Sequence, residues 1–253
     1  MIKKLKENII HSLYSFDFIR NIKEKLRPVK HSIFGKDGIY FVADEVAFVR
    51  AGISPIKVVF DIGAAYGDMA RTLAHFFPEA EIYCFEPQKE SMQHLMKRTH
   101  SFKERVKTFS VAFLNKTGTE MFNVFSYRDA SSFLPLQSYF ECEGVKKVET
   151  RAVSVIKLDD FIQVHNIHHI DFLKIDVEGV EKELLEGGSE TLRNMVDNVF
   201  IEISSLRQGP HSADYIEVFK FFHERGFTFM GCYGDYFFSK DRFLLEKYFR
   251  TKK

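Results

Sequence analysis

The sequence predicts an α/β fold, a mainly parallel sheet with helices on both faces. From Lys57 onward, short apolar runs rich in β-branched and aromatic residues alternate with segments of helical period, the signature of successive βαβ units. The first of these runs, Val58-Val59-Phe60-Asp61-Ile62, enters a turn of small residues and then a helix. The chain has 253 residues, enough for one large α/β domain with a short appended segment.

Residues 1–50 read as a basic helical extension: Ile2, Leu5, Ile9, Leu13 and Phe16 recur at helical spacing among Lys3, Lys4, Lys6, Arg20, Lys23 and Lys25. Such a helix packs on its own domain or on a second copy in a homodimer, and contact with a membrane surface is the competing reading. The α/β domain takes residues 51–253. Its expected core strands are 57–62, 80–85, 106–113, 170–176 and 197–203, with helices at 66–77, 87–99, 180–192 and 213–225. Phe227 to Cys232 and Asp235 to Ser239 flank a glycine turn and read as an antiparallel end to the sheet. Residues 118–155 form a β-like insertion over the sheet edge, a position that often carries substrate contacts.

Composition removes several classes. Hydrophobic residues at 45% and charged residues at 28% rule against disorder, collagen and coiled coil. With 36 Lys and Arg against 35 Asp and Glu, no general attraction draws the chain to nucleic acid. Cys84, Cys142 and Cys232 form no CxxC pair or metal-ligand spacing, and no apolar run approaches the ~20 residues needed to span a bilayer. A cytoplasmic protein with reduced thiols is expected.

The turn after the first strand is the most informative segment. Gly63 and Gly67 let the backbone come close to a ligand. A dinucleotide fingerprint started at Gly63 would need Gly at 65 and 68, where Ala65 and Asp68 stand. What remains is D-x-G-x-x-x-G, with Asp61 able to face the amino end of a methionine moiety; on this segment alone, capping of the next helix competes. The second strand decides the balance. It ends in Glu86-Pro87, 23 positions after Gly63, where a carboxylate can accept both hydroxyls of an adenosine ribose. Gly63, Ala64, Tyr66, Gly67 and Pro87 join Asp61 and Glu86 as expected cofactor contacts. Val111 and Ala112, at the end of the third strand, supply an apolar wall for adenine, though plain core packing would explain them as well.

A second charged group lies in Ile170-Asp171-Phe172-Leu173-Lys174-Ile175-Asp176-Val177-Glu178-Gly179. Ligands of open α/β sheets sit at the carboxyl ends of strands, so Asp176 and Glu178 should share a crevice with Asp61 and Glu86. A sulfonium, a metal ion, a substrate hydroxyl or Lys174 as counter-ion would each use these carboxylates.

From about Val58 to Phe238 the chain resembles the FkbM family of methyltransferases. The likeness is carried by DIGAAYGD, CFEPQKESMQHL, VAFLNKTGT, SVIKLDDFI and IDFLKIDVEGVEKELLEGGSETL, the last being the most specific. Ala65 departs from the family's usual Asn. The resemblance implies a Rossmann-like class I methyltransferase fold, with a seven-stranded sheet containing one antiparallel strand. It also implies S-adenosylmethionine as cofactor and O-methylation of sugars in surface polysaccharides or of secondary metabolites. Asp61, Gly63, Gly67 and Glu86 are the implied cofactor residues, with Asp176 and Glu178 at the active-site edge.

Methyl transfer from a sulfonium mainly requires alignment, but a hydroxyl acceptor gains from a base or an acidifying metal. The candidate bases are Asp176, Glu178, Glu202 and His211, with Asp176 favoured by position and His211 in a loop beside Gly209-Pro210. A divalent metal is left open. His168 and His169, on the opposite edge, are expected to be uninvolved. Tyr127, Phe133 and Tyr233 are weak candidates for stacking on a sugar. Two other classes compete: a nicotinamide-dependent oxidoreductase, disfavoured by the missing fingerprint, and a non-catalytic nucleoside-binding protein of a glycan-assembly complex.

Overall fold

The computed structural model describes residues 56–127, 131–136, 144–203, 214–232 and 235–243. The expected N-terminal helix, His211 and Tyr233 lie outside the described residues.

The five-residue run VVFDI forms β1 (Val58–Ile62) because it is apolar and β-branched, and it is buried on both faces, as a central parallel strand must be. Its neighbours follow by βαβ crossovers. The helix α1 (Asp68–Phe76) leads to β2 (Glu81–Phe85), and α2 (Lys89–Arg98) leads to β3 (Val106–Phe109). After β4 (Ala112–Phe113), β5 (Gly118–Phe125) and β6 (Lys147–Ile156), α3 (Leu158–Val164) returns the chain to β7 (Phe172–Ile175). Then come α4 (Glu181–Gly187), α5 (Ser189–Asn194), β8 (Asn198–Ile201), α6 (Tyr215–Glu224), β9 (Thr228–Cys232) and β10 (Tyr236–Ser239).

Seven strands make one sheet in the order β3-β2-β1-β7-β8-β10-β9. All described pairings are parallel except those of β10, which runs antiparallel to β8 and β9. This is the doubly wound sheet that the sequence predicts, with one reversed strand near its edge.

Strand alternation splits the core into two layers. Phe60, Phe85, Leu173, Ile175, Val199 and Ile201 pack with Phe161, Leu184, Leu192 and Phe222 from α3, α4, α5 and α6. On the reverse face, Val59, Ile82 and Cys84 meet Ala70, Leu73 and Ala74 of α1 and Leu95 of α2. Each fully buried Leu or Phe contributes about 1.5–3 kcal/mol. At the amino edge, one oxygen of Asp171 accepts from the amides of Lys57 and Val58, both at 2.8 Å, and so joins the entrances of β1 and β7.

Four expectations are corrected. The strand expected at 106–113 breaks after Phe109, and Ala112-Phe113 leaves the main sheet to pair in parallel with β6. Residues 118–155 are more regular than expected: β5 and β6 form a long antiparallel pair within a second sheet of order β4-β6-β5. The helix expected over 180–192 is two short helices that meet at Gly188, where an added Cβ would lie 2.8 Å from the Leu158 side chain. A seven-residue helix, α3, was not anticipated; its apolar residues Leu158, Phe161 and Ile162 are too few to give a clear period.

Candidate active site

The turn after β1 is shaped by close approach. Gly63 has φ +80, and a Cβ on it would lie 1.7 Å from the carbonyl oxygen of Asp176, so the loops following β1 and β7 touch through backbone alone. The Gly63 and Ala64 amides both donate to Phe85 O at 3.0 Å, tying the turn to β2. Ala65 adopts φ 44, which turns its amide toward the tip of β2.

That amide donates to Glu86 Oε2 at 3.0 Å, while the amide of Gln88 donates to Glu86 Oε1 at 2.7 Å. Glu86 is therefore buried with each oxygen fixed by one backbone donor, leaving lone pairs on both oxygens for a ligand. Burial raises its pKa to about 7, against the lowering effect of the two amides.

Asp61 is fully buried one strand away, and among the described residues neither of its carboxylate oxygens has a hydrogen-bond partner. Burial pushes its pKa up to about 6; the charge of Lys174 pulls it down and that of Asp176 adds to the rise. Lys174 faces Asp61 in register across β1 and β7, yet its ammonium donates to Asp176 Oδ2 at 3.0 Å. Lys174 is itself buried, and the surrounding carboxylates hold its pKa above the ordinary lysine value despite desolvation. The expected counter-ion pairing of Lys174 is thus present, and it leaves Asp61 without a bonded partner.

An open pocket runs along these strand tips. Gly63, Glu86, Pro87, Val111, Ala112, Asp176 and Glu178 line it, Glu178 with φ 56. Asp61, Ala64, Tyr66, Gly67 and Glu202 are placed off its lining, Asp61 being buried directly behind Ile62 and Gly63, which do line it. Ala64 is buried in the core, Tyr66 meets His94 edge-on with ring centroids 5.5 Å apart, and Gly67 backs onto Leu95. Glu202, at the end of β8, keeps an exposed face; desolvation of its inner side and the charges of Asp176 and Asp235 raise its pKa.

Several groups at this edge were not singled out from sequence. Asp235, just before β10, is raised by desolvation and lies near Lys174 and Asp176. Phe122 comes from β5 of the second sheet and Ser131 from the segment that follows it, and both line the pocket with Phe133. No spacing links these residues to the strand tips; tertiary packing alone brings them together. Tyr127 is exposed and absent from the lining. Among the described residues, the side chains close enough to share a metal ion are His169, Asp171 and Asp197, at the opposite edge, where His169 Nε2 is 3.2 and 3.0 Å from the two carboxylates.

Fold and site together define a doubly wound α/β protein with an acid-lined crevice at the carboxyl ends of its strands. The family model described as "Methyltransferase FkbM domain" matches residues 61–229, and the chain belongs to that family. Among curated proteins, it is 28% identical to 2-O-methyltransferase NoeI of Sinorhizobium fredii over 151 residues, covering 54% of this chain and 60% of NoeI. It is 25% identical over 199 residues to AMB antimetabolite synthetase AmbE of Pseudomonas aeruginosa, covering 66% of this chain but 9% of AmbE. The chain thus spans less than two thirds of either relative. Solved structures with a similar course include precorrin-6y C5,15-methyltransferase of Geobacter metallireducens, at TM-score 0.42 and 9% identity, covering 79% of this chain and 80% of that one. Another is TrmK of M. capricolum in complex with S-adenosyl-homocysteine, at TM-score 0.41 and 11% identity, covering 79% and 70%.

Proposed function

We propose that the protein is an S-adenosylmethionine-dependent O-methyltransferase whose acceptor is a hydroxyl of a sugar, a glycan or a secondary metabolite. The observation that carries this reading is the buried, partnerless carboxylate of Asp61 beside the amide-clamped carboxylate of Glu86. A buried carboxylate without a partner is costly, and a cationic amino group would offset that cost. Asp61 then takes the amino end of the cofactor, Glu86 takes the ribose hydroxyls, and Val111 with Ala112 borders the base. Family membership favours methyl transfer over hydride transfer as the use of this pocket.

When bound, the cofactor supplies an activated methyl group on a sulfonium. The chain's own part is alignment, exclusion of water and acceptance of the proton lost by the acceptor hydroxyl. Asp176 lines the crevice, and Glu202, at the end of the neighbouring strand β8, is close enough to feel its charge. Of the two, Glu202, with its pKa raised, is better matched to taking a proton near neutral pH, while Asp176 is held by Lys174. The name of NoeI, a 2-O-methyltransferase, supports a hydroxyl acceptor for this chain.

The test is calorimetric titration with S-adenosylhomocysteine and, separately, NADH, on the wild-type protein and on folded Asp61→Ala and Glu86→Ala variants. Micromolar binding of S-adenosylhomocysteine that both variants lose is expected. Binding of NADH instead, or of neither compound, would overturn the assignment.

A further inference from the structure

The pocket has a third wall that the strand tips do not explain. On the cofactor reading above, the amino-acid end lies over β1 and the ribose over β2, so along the strand order β3-β2-β1 the base falls beyond β2, toward Val111 and Ala112 of the pocket lining. There the second sheet closes the pocket with Phe122 and Phe133, whose rings meet at 81° with centroids 5.0 Å apart. Phe122 is buried in a cluster with Val153, Val155 and Val180, and Val177 of the loop after β7 packs against the same cluster.

The segment carrying Phe133 is held tightly. Asn123 and Ser132 exchange both backbone hydrogen bonds, at 2.8 and 3.1 Å. Asn123 Nδ2 donates to Leu134 O at 3.1 Å, and the Ser131 hydroxyl accepts from the buried amide of Phe125 at 3.1 Å. Three bonds then fasten the second sheet and the segment paired with it to opposite sides of the pocket. Ser132 Oγ donates to Glu178 O at 2.7 Å on the β7 side, and Arg151 of β6 grips both oxygens of Glu90 on α2 at 2.8 and 3.2 Å. A fixed aromatic edge at the base end of a nucleoside pocket contributes contact energy without an ordering cost.

We propose that Phe122 and Phe133 form the roof of the adenine subsite, and that Ser132 and Arg151 are positioning residues that keep this roof closed over the base. This rests on the nucleoside reading above and extends it to the insertion.

The experiment pairs two ligands that share a base and differ at the other end. S-adenosylhomocysteine carries the amino acid, and 5′-methylthioadenosine lacks it. Phe133→Ala is expected to weaken both by the same factor, about tenfold, whereas Asp61→Ala weakens S-adenosylhomocysteine alone. Ser132→Ala and Arg151→Gln are expected to speed release of S-adenosylhomocysteine and of 5′-methylthioadenosine severalfold in stopped flow, by the same factor for each ligand. Arg151→Lys should hold the rate closer to that of wild type.

Unchanged affinity of both ligands for Phe133→Ala, or loss of S-adenosylhomocysteine affinity alone, would overturn the roof while leaving the methyltransferase reading standing. If the wild-type protein binds neither ligand, the underlying reading fails and takes the roof with it. Should Phe133→Ala not fold, Phe133→Leu read by the same two titrations replaces it: equal weakening of both ligands supports the roof, and unchanged affinity overturns it.

Discussion

Asp61 carries the proposed contact to the amino group of the cofactor, and its complete burial makes two pH dependences predictable. Its pKa is about 6 in the fold against an ordinary value of 3.8. Its stabilising contribution to the ligand-free protein is therefore complete below pH 3.8 and is lost as pH rises through about 6. The ionised carboxyl then costs the fold on the order of 3 kcal/mol. Urea unfolding should show the advantage of Asp61→Asn over wild type growing between about pH 4 and pH 6 and staying level from there to pH 8. Ligand affinity has the opposite sign, because the amino group of S-adenosylhomocysteine needs the ionised form. Titrations from pH 5 to 8 should tighten with a step near pH 6, and Asp61→Asn should remove that step while leaving the part that follows the ionisation of Glu86 near pH 7. On the acceptor side, Glu202→Gln is expected to lower kcat by about 10²-fold, at the low end of what a general base contributes, with the Kd of S-adenosylhomocysteine unchanged. An unaltered kcat would move the base to Asp176 or Glu178.

At the scale of elements, the contact between the loops after β1 and β7 is the tightest geometric demand near the site. Gly63→Ala would drive a Cβ into the Asp176 carbonyl at 1.7 Å in a left-handed backbone. A loss of about 3 kcal/mol or more, read from the urea midpoint, is expected. The strands and long helices of the main sheet were legible because each carries its own local pattern: VVFDI for β1, EIYCF for β2 and FLKI for β7 are apolar on both faces. The second sheet was harder to read. β5 is largely exposed over its first half and β6 is exposed at half of its positions, so their polar residues resemble loop composition. The break between β3 and β4 has no proline or glycine to announce it, since Ser110 and Val111 stand there.

For the whole molecule, the site divides along the same line. Asp61, Glu86 and Asp176 could be read from sequence because each stands at or next to the end of an apolar strand, and the ends of parallel strands must meet. Asp235, Phe122 and Ser131 could not, because the strand pairing of β10 and the docking of the second sheet fix their places. Ligand binding should stabilise the fold as a unit. At 100 times its Kd, S-adenosylhomocysteine would add about 2.7 kcal/mol. For a chain of this size that corresponds to a melting shift of roughly 5–10 °C. A thermal scan with NADH at the same concentration is expected to show no shift.

If the proposed function holds, the carboxylate of Asp61 would also set the fate of the protein between turnovers. A chain without nucleoside would keep a buried charge to which nothing among the described residues is hydrogen-bonded, so its native state would open more often than that of the liganded form. Proteases act on opened chains, and the empty protein would be the more rapidly degraded one. Its steady-state amount in a cell would therefore follow the nucleoside supply: a culture starved of methionine is expected to hold less of this protein than a replete one, and Asp61→Asn should weaken that link.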